Sequence, residues 1–263
     1  MTTPNKRKNV SIGVFILTKN EEVFIEDCLN SCKIFSKIVV VDSCSTDRTK
    51  EICQSYSVDF YERPFTNFLE QRKFAVSKLD TDWIFYLDAD EKITPELEQE
   101  IVSFSEGSRG ELLEIPRKNF VLGHWIEHCG WYPDYQSRLI KADTLQFEEK
   151  IVHERMQTTG KLVHLDWNPN AVILHQTCTG IGSYLEKMNH YTQLEANSYG
   201  DKAPFTLTRW GVFSRSFGMF TQTLFHFKGV KDGFPGFIVA CFSFITSMML
   251  MIKCWELQNS KKV

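Results

Sequence analysis

No two of the eight cysteines stand in a CxxC pair, which removes the usual zinc-ribbon and thioredoxin-type readings. Cys28 and Cys32 are four apart, a spacing that one zinc ligand pair could use, but no second pair accompanies them. The thiols are expected to be reduced and mostly buried, acting as small apolar side chains in a reducing compartment. An excess of positive charge is also missing. The 30 Lys and Arg against 33 Asp and Glu leave −3 at pH 7, so nucleic acid is not expected as a partner. The first apolar run, Ile12 to Leu17, is too short for a secretory signal core and passes directly into Thr18-Lys19-Asn20-Glu21. The N-terminal part is therefore expected to stay cytoplasmic. A glycine-rich basic loop, which a sugar nucleotidyltransferase would carry after its first strand, is absent; that same tetrapeptide takes its place. What the chain does have is 263 residues, 43% hydrophobic and 24% charged. That is enough for one large domain, or a domain with an appendage, around a real core.

From Val10 a short β-branched run, a polar turn and an amphipathic stretch recur. Ser11 to Thr18 reads as a strand, and Asn20 is placed to cap a helix carrying Phe24, Cys28 and Cys32 on one face. Lys37 to Asp42 is an uninterrupted apolar run, as expected for a strand covered on both faces. A helix over about Asp47–Tyr56, a strand at Val58–Tyr61, a helix at Leu69–Leu79 and a strand at Trp83–Leu87 follow. Strands alternating with helices predict a mainly parallel α/β sheet with helices on both faces. Ligands bind such sheets beyond the carboxyl ends of the strands, so Thr18–Glu21, Asp42–Thr46 and Asp88–Glu91 should converge on one crevice. Thr94-Pro95-Glu96 is a strong helix start. After about residue 110, strand-like pieces (Leu112–Pro116, Ser137–Lys141, Lys150–Arg155, Ala171–His175) suggest a mixed or antiparallel edge, and a helix spans about Ser183–Ser198.

Composition shifts near residue 200. From Ala203 onward there are seven Lys or Arg and two Asp or Glu, against a balance of −8 before it. Phe234 to Ile252 holds no formal charge between Lys231 and Lys253, and as a helix it would reach roughly 28 Å, barely a bilayer core. Three readings stay open: a helix lying in or partly entering a membrane, packing within a protein or dimer, and a true span. The aromatic stretch Trp210–Phe227, with Arg209, Arg215, Lys228 and Lys231, suits an anionic headgroup layer. The expected organisation is a catalytic domain over residues 1–200 and membrane-associated helices over 201–263.

Asp88-Ala89-Asp90 places two carboxylates one residue apart at a strand end, hard ligands for a divalent cation bridged to a diphosphate. An acidic turn before the next helix is the competing reading. Val14–Glu22, Ile38–Thr49 and Trp83–Glu91, in that order and spacing, resemble the family 2 glycosyltransferases of GT-A (Rossmann-like) fold. Gly130-Trp131-Tyr132-Pro133-Asp134-Tyr135-Gln136-Ser137-Arg138-Leu139, Val152-His153-Glu154 and Trp255-Glu256-Leu257 are similar to bacterial lipopolysaccharide core β-1,4-glucosyltransferases, over about residues 10–258. Cys44 stands where glycine is usual in that family; cysteine is small, so the turn is expected to survive if φ there is negative.

The resemblance implies inverting transfer of a sugar, glucose by likeness, from a UDP-sugar to inner-core heptose of a lipid A precursor. The enzyme would sit on the cytoplasmic face of the bacterial inner membrane. It further implies that Thr18, Lys19, Asn20 and Glu21 line the nucleotide pocket and that Asp42 accepts the uracil N3–H. Arg72, beside Lys73, would lie near the diphosphate and Asp88 near the ribose or metal. Asp90 would bind Mg²⁺ or Mn²⁺, and a late histidine, His175 in preference to His153, would complete that site. Asp134 would be the base, Trp131 and Tyr132 would stack on sugar with Arg138 beside them, and His153 with Glu154 would hold the acceptor. Turn aspartates at Asp42 and Asp134, a solvated helix face at Arg72 and a structural histidine at His175 are the alternatives. For the protein as a whole they are another donor (galactose, N-acetylhexosamine or a heptose), another glycolipid acceptor such as a capsule precursor, a nucleotidyltransferase, or an inactive membrane-associated binding module.

Overall fold

The computed structural model describes residues 10–147, 156–166, 168–200 and 207–260. The strand expected at Lys150–Arg155, together with His153 and Glu154, lies outside the described residues. Two compact units divide the chain. The first comprises residues up to Arg117 and the described residues from Asp134 to His175; the second comprises Lys118–Pro133 and residues from Gln176 onward.

The elements of the sheet-bearing part are β1 (Ile12–Thr18), α1 (Ile25–Ser31), β2 (Lys37–Asp42), α2 (Thr49–Gln54), β3 (Asp59–Glu62), α3 (Phe68–Val76), β4 (Trp83–Asp88), β5 (Glu91–Ile93), α4 (Pro95–Glu106), β6 (Leu112–Val121), β7 (His124–Trp125), β8 (Asp134–Lys141), β9 (Leu145–Phe147), β10 (Met156–Thr158), β11 (Leu162–His164) and β12 (Ile173–Cys178). Their main sheet runs β3-β2-β1-β4-β8-β6-β12-β5. The first four strands are parallel, with Phe15 beside Val39 and Tyr86. β8 then runs antiparallel to β4, and β6 antiparallel to β8. This is the mixed α/β sheet that the alternating pattern predicts, with the expected antiparallel side.

Strand chemistry explains the arrangement. Along β1, Ile12, Val14 and Ile16 enter one core cluster and Phe15 the other; along β4, Trp83, Phe85 and Leu87 alternate with Ile84 and Tyr86. Side chains that are apolar at every position have no solvent face to choose, so both faces must be covered. The chain builds β1, β2 and β3 outward, then returns to set β4 on the other side of β1. The switch in direction opens a crevice at the carboxyl ends of β1 and β4. Thr94 caps α4 by accepting the Leu97 N–H at 3.3 Å, with Pro95 in the first turn. Leu97, Ile101 and Phe104 then bury one helical stripe.

One local expectation is corrected, and one condition is not met. Asn20 does not cap α1, which starts at Ile25; its Oδ1 accepts the Thr46 N–H at 2.8 Å instead, from a left-handed backbone with φ 55°. Cys44 has φ +61°, not a negative value, so the chain keeps the left-handed turn without its glycine.

The second unit contains α5 (Ile181–Tyr199), α6 (Arg209–Thr221), a π-helical turn at Gln222–His226 and α7 (Gly233–Ser260). Tyr184 of α5 stacks on Phe242 of α7 at 4.0 Å. Among the described residues, one helical stretch, Gly229–Asn259, is long and apolar enough to cross a membrane by length and composition, and 28% of its most apolar window is buried. Trp210, Phe213, Phe217, Phe234 and Phe237 are exposed. Phe217, Phe220, Cys241, Phe244 and Ile245 line an open apolar groove of about 340 Å³.

Candidate active site

The loops that follow β1 and β2 are laced together. Lys19 Nζ donates to the carbonyls of Ser43 (3.0 Å) and Cys44, and the Asn20 N–H to Ser45 Oγ (2.8 Å). The Glu21 N–H donates to Thr49 Oγ1 (2.8 Å) and the Glu22 N–H to Asp47 Oδ2 (3.0 Å). Asp42 is fully buried at the end of β2, and both its carboxylate oxygens accept from Ser45, one from the backbone N–H at 2.7 Å and one from the hydroxyl. That is the turn-forming behaviour of an Asx residue, and it occupies the oxygens assigned to uracil by resemblance. Thr18 is 4% exposed, and its buried hydroxyl has no hydrogen-bond partner among the described residues.

At the end of β4 a chain of ion pairs begins. Asp88 Oδ2 accepts from Arg138 Nη2 at 2.8 Å, and its Oδ1 from the Tyr86 hydroxyl. The same Arg138 nitrogen donates to both oxygens of Glu91 at 2.6 and 2.7 Å. Glu91, whose side chain has no exposed surface, also accepts from Arg117 Nη1 at 2.7 Å and from the Asp88 N–H at 3.1 Å. Arg117 in turn grips Asp134 Oδ2 through Nε and Nη2, each at 2.8 Å. Gln136 Nε2 holds the other Asp134 oxygen at 2.6 Å. Strand register makes this possible: Arg117 of β6 lies directly opposite Asp134 of β8. Five charged side chains thus form one continuous series, Asp88–Arg138–Glu91–Arg117–Asp134.

Burial pushes the Asp88 carboxyl up, but the Arg138 charge and the Tyr86 and Arg138 hydrogen bonds outweigh it and hold the group below the usual carboxylate range. Burial and the Asp88 charge push the Tyr86 phenol well above its ordinary value, so it remains a donor. Arg138 also lies over the Tyr86 ring at 4.3 Å, and Arg72 over the same ring at 5.1 Å. Arg72, Tyr86, Tyr135 and Arg138 help to line a cavity of about 80 Å³.

Asp90 and His175 meet. Asp90 Oδ2 is 3.5 Å from His175 Nε2, and His175 on β12 pairs across the ladder with Glu91 on β5. Asp88 is committed to Arg138 and Tyr86, and among the described residues there is no group of three or more His, Cys, Asp or Glu that could hold a metal. One carboxylate and one imidazole nevertheless fit a Mg²⁺ or Mn²⁺ ion that takes its remaining ligands from substrate phosphate and water.

Of the residues assigned to the acceptor, Arg138 is 2% exposed, and its Nη2 donates to both Asp88 and Glu91, so it braces the acidic series; its buried Nε has no hydrogen-bond partner among the described residues. In the second unit, Trp131 packs against the apolar cluster of Val121, Ile126, Cys129 and Val239. Tyr132 stands edge-on to Trp125 with ring centres 5.3 Å apart. Sequence reasoning placed Glu91 in the strand-end cluster without giving it a role, and missed Arg117. The available signal was a charged residue within or beside an apolar strand, which must find a partner when buried.

A strand-order reversal of this kind puts the ligand-binding end of the sheet at the carboxyl ends of β1 and β4, where Asp88 and Asp90 stand. Residues 13–181 match the family model described as Glycosyl transferase family 2, and the chain belongs to that family. A glycosyltransferase of Rickettsia prowazekii is 25% identical over 86% of this chain and 80% of its own length. The lipopolysaccharide core biosynthesis glycosyltransferase LpsC of Rhizobium meliloti is 26% identical over 71% of this chain and 70% of its own. Among solved structures, S. aureus TarS in complex with UDP-GlcNAc is 16% identical with a TM-score of 0.48, covering 96% of this chain and 91% of that one.

Proposed function

We propose that this glycosyltransferase moves a sugar, glucose by preference, from a UDP-sugar to the inner-core heptose of a lipid A precursor, with inversion. The observation that carries the reading is the ion-pair series, which ties the strand-end carboxylates to Asp134 through shared arginines. Asp134, oriented by Arg117 and Gln136, accepts the proton of the acceptor hydroxyl. The freed oxygen bonds to the anomeric carbon as the bond to UDP breaks on the opposite face, in one displacement. Asp90 and His175 would hold the divalent ion, which when bound neutralises charge on the departing diphosphate. Thr18 to Glu21, Asp42 and Arg72 take the nucleotide end. For Asp42 this means a backbone or water-mediated role beside its Ser45 bonds. Trp131 and Tyr132, with His153 and Glu154, take the acceptor sugar.

The acceptor assignment draws support from the function named for LpsC. The domain over 1–200 is the catalytic part, and 201–263 lies on the cytoplasmic membrane surface. The exposed aromatic side chains of α6 and α7, together with Arg209, Arg215, Lys228 and Lys231, favour that placement.

Sugar nucleotides assayed against truncated lipid A core acceptors, with and without Mn²⁺ or Mg²⁺, test the proposal. UDP release and a β-linked product are expected; Asp90→Ala removes the metal-dependent turnover. Asp134→Asn keeps UDP affinity and loses rate by about 10²-fold or more. Near wild-type turnover in Asp134→Asn would remove it as the base, and pyrophosphate as product would point to a nucleotidyltransferase instead.

A further inference from the structure

The turn that enters α7 carries a buried carboxylate that the catalytic scheme does not use. Asp232 has a side chain only 5% exposed. Its Oδ2 accepts the His128 backbone N–H at 2.9 Å and the Cys129 thiol at 3.6 Å, and its Oδ1 lies 2.8 Å from His128 Nδ1. The Cys129 N–H donates to the Phe227 carbonyl at 2.9 Å, at the end of the π-helical turn. Both carboxylate oxygens are thus spent on one short loop more than a hundred residues away in sequence.

Glycines make the approach possible. A Cβ on Gly130 would stand 3.1 Å from the Phe227 ring, and one on Gly229 would stand 2.8 Å from Cys129 Sγ. One on Gly236 would lie 2.0 Å from the Gly229 carbonyl oxygen. Cys129 and Gly130 both take left-handed backbone, φ 59° and 76°, a sharp reversal that needs an external hold. The clamped loop leads directly into Trp131 and Tyr132. The Trp131 N–H donates to the His128 carbonyl at 3.0 Å, so the register of His128 sets where Trp131 stands.

We propose that Asp232 is a positioning residue for the sugar acceptor: through His128 and Cys129 it fixes the loop that presents Trp131 and Tyr132, tying acceptor recognition to the C-terminal helices. This rests on the acceptor role given to those two aromatics above. A stitch that served stability alone would lower the rates of transfer and hydrolysis in proportion to the folded fraction and leave both KM values where they are. A positioning role shifts the acceptor parameters selectively, because stacking on a sugar face depends on ring placement to within about an ångström.

The test compares wild type, Asp232→Ala, Asp232→Asn and His128→Ala. Acceptor KM, donor KM and acceptor-independent hydrolysis of the UDP-sugar are measured on protein whose folded fraction is set by circular dichroism. Asp232→Ala is expected to raise acceptor KM on the order of tenfold, leaving donor KM and hydrolysis unmoved. Asp232→Asn, which keeps an oxygen for the His128 N–H, should recover most of that loss. His128→Ala, which removes only the imidazole half of the clamp, should give a smaller rise in the same direction, and it serves if Asp232→Ala does not fold. An unmoved acceptor KM in the variants, or a rise in donor KM to match it, overturns the proposal. A wild-type enzyme that uses no UDP-sugar would instead refute the reading beneath it, so the two failures are distinguished by the control.

Discussion

Replacing Glu91 by Gln should be among the most damaging single changes in the first unit. The carboxylate has no exposed surface and accepts from Arg138 at 2.6 and 2.7 Å and from Arg117 at 2.7 Å. Removing one partner of a buried pair costs about 3–5 kcal/mol, because the opposite charge stays out of water without compensation. Asp88 and Asp134 each still hold one of the two arginines, and the amide keeps one acceptor oxygen, so the lower end, about 3 kcal/mol, is expected. For a chain of this size a kilocalorie corresponds to roughly 2–4 °C in Tm, which places the loss near 6–12 °C. Differential scanning calorimetry reads it directly. Glu51→Gln is the control: its partner Arg48 lies at 3.2 Å, but both side chains are 69% exposed, and such pairs contribute about 1 kcal/mol at most. A Glu91→Gln protein melting within about 2 °C of wild type would refute the idea that this carboxylate is the junction of the series.

Cys44→Gly is expected to stabilise the protein by about 0.5–1 kcal/mol, since a side chain at φ +61° is strained and glycine is not. Cys44→Val should destabilise it by a similar amount or more, and urea midpoints for the pair check the sign. Acid should weaken the site through Asp88. Its folded pKa is held below the ordinary value by Arg138 and Tyr86, so its contribution is complete above about pH 4 and disappears as pH falls through the folded value. Urea unfolding of wild type and Asp88→Asn between pH 6 and pH 2 should show the difference between them shrinking towards acid; a constant gap would contradict it.

Much of the parallel half of the sheet was legible in the sequence, because apolar runs such as Ile38 to Val41 can only be strands covered on both sides. The Thr94-Pro95 helix start was legible for the same local reason: a cap and a fixed φ need no distant partner. Asn20 was misjudged because its side chain has two uses within reach, and Thr46, 26 residues on, wins over the local helix end. The sign of φ at Cys44 stood only as a condition, because the residue type alone does not fix it. In the site, the strand-end carboxylates and His175 were legible as types in position. Arg117 was not, and Glu91 was legible as a cluster member but not in its role, because their partners arise from ladder register, Arg117 opposite Asp134 and Glu91 opposite His175. Arg138 was placed with the acceptor, although it falls at the register shift between β6 and β8 and pairs with Asp88.

The stitched loops after β1 and β2 have a thermodynamic consequence. Side chain to backbone bonds from Ser45, Thr46, Asp47 and Thr49 fix the amides of Asn20, Glu21 and Glu22 and the side chain of Asn20 in the free protein. On the nucleotide-binding role proposed for these loops, the entropy of ordering them is met when the chain folds, not when a nucleotide arrives. A donor seated there would find a preorganised floor, and its affinity would depend on the contacts it makes and not on loop closure.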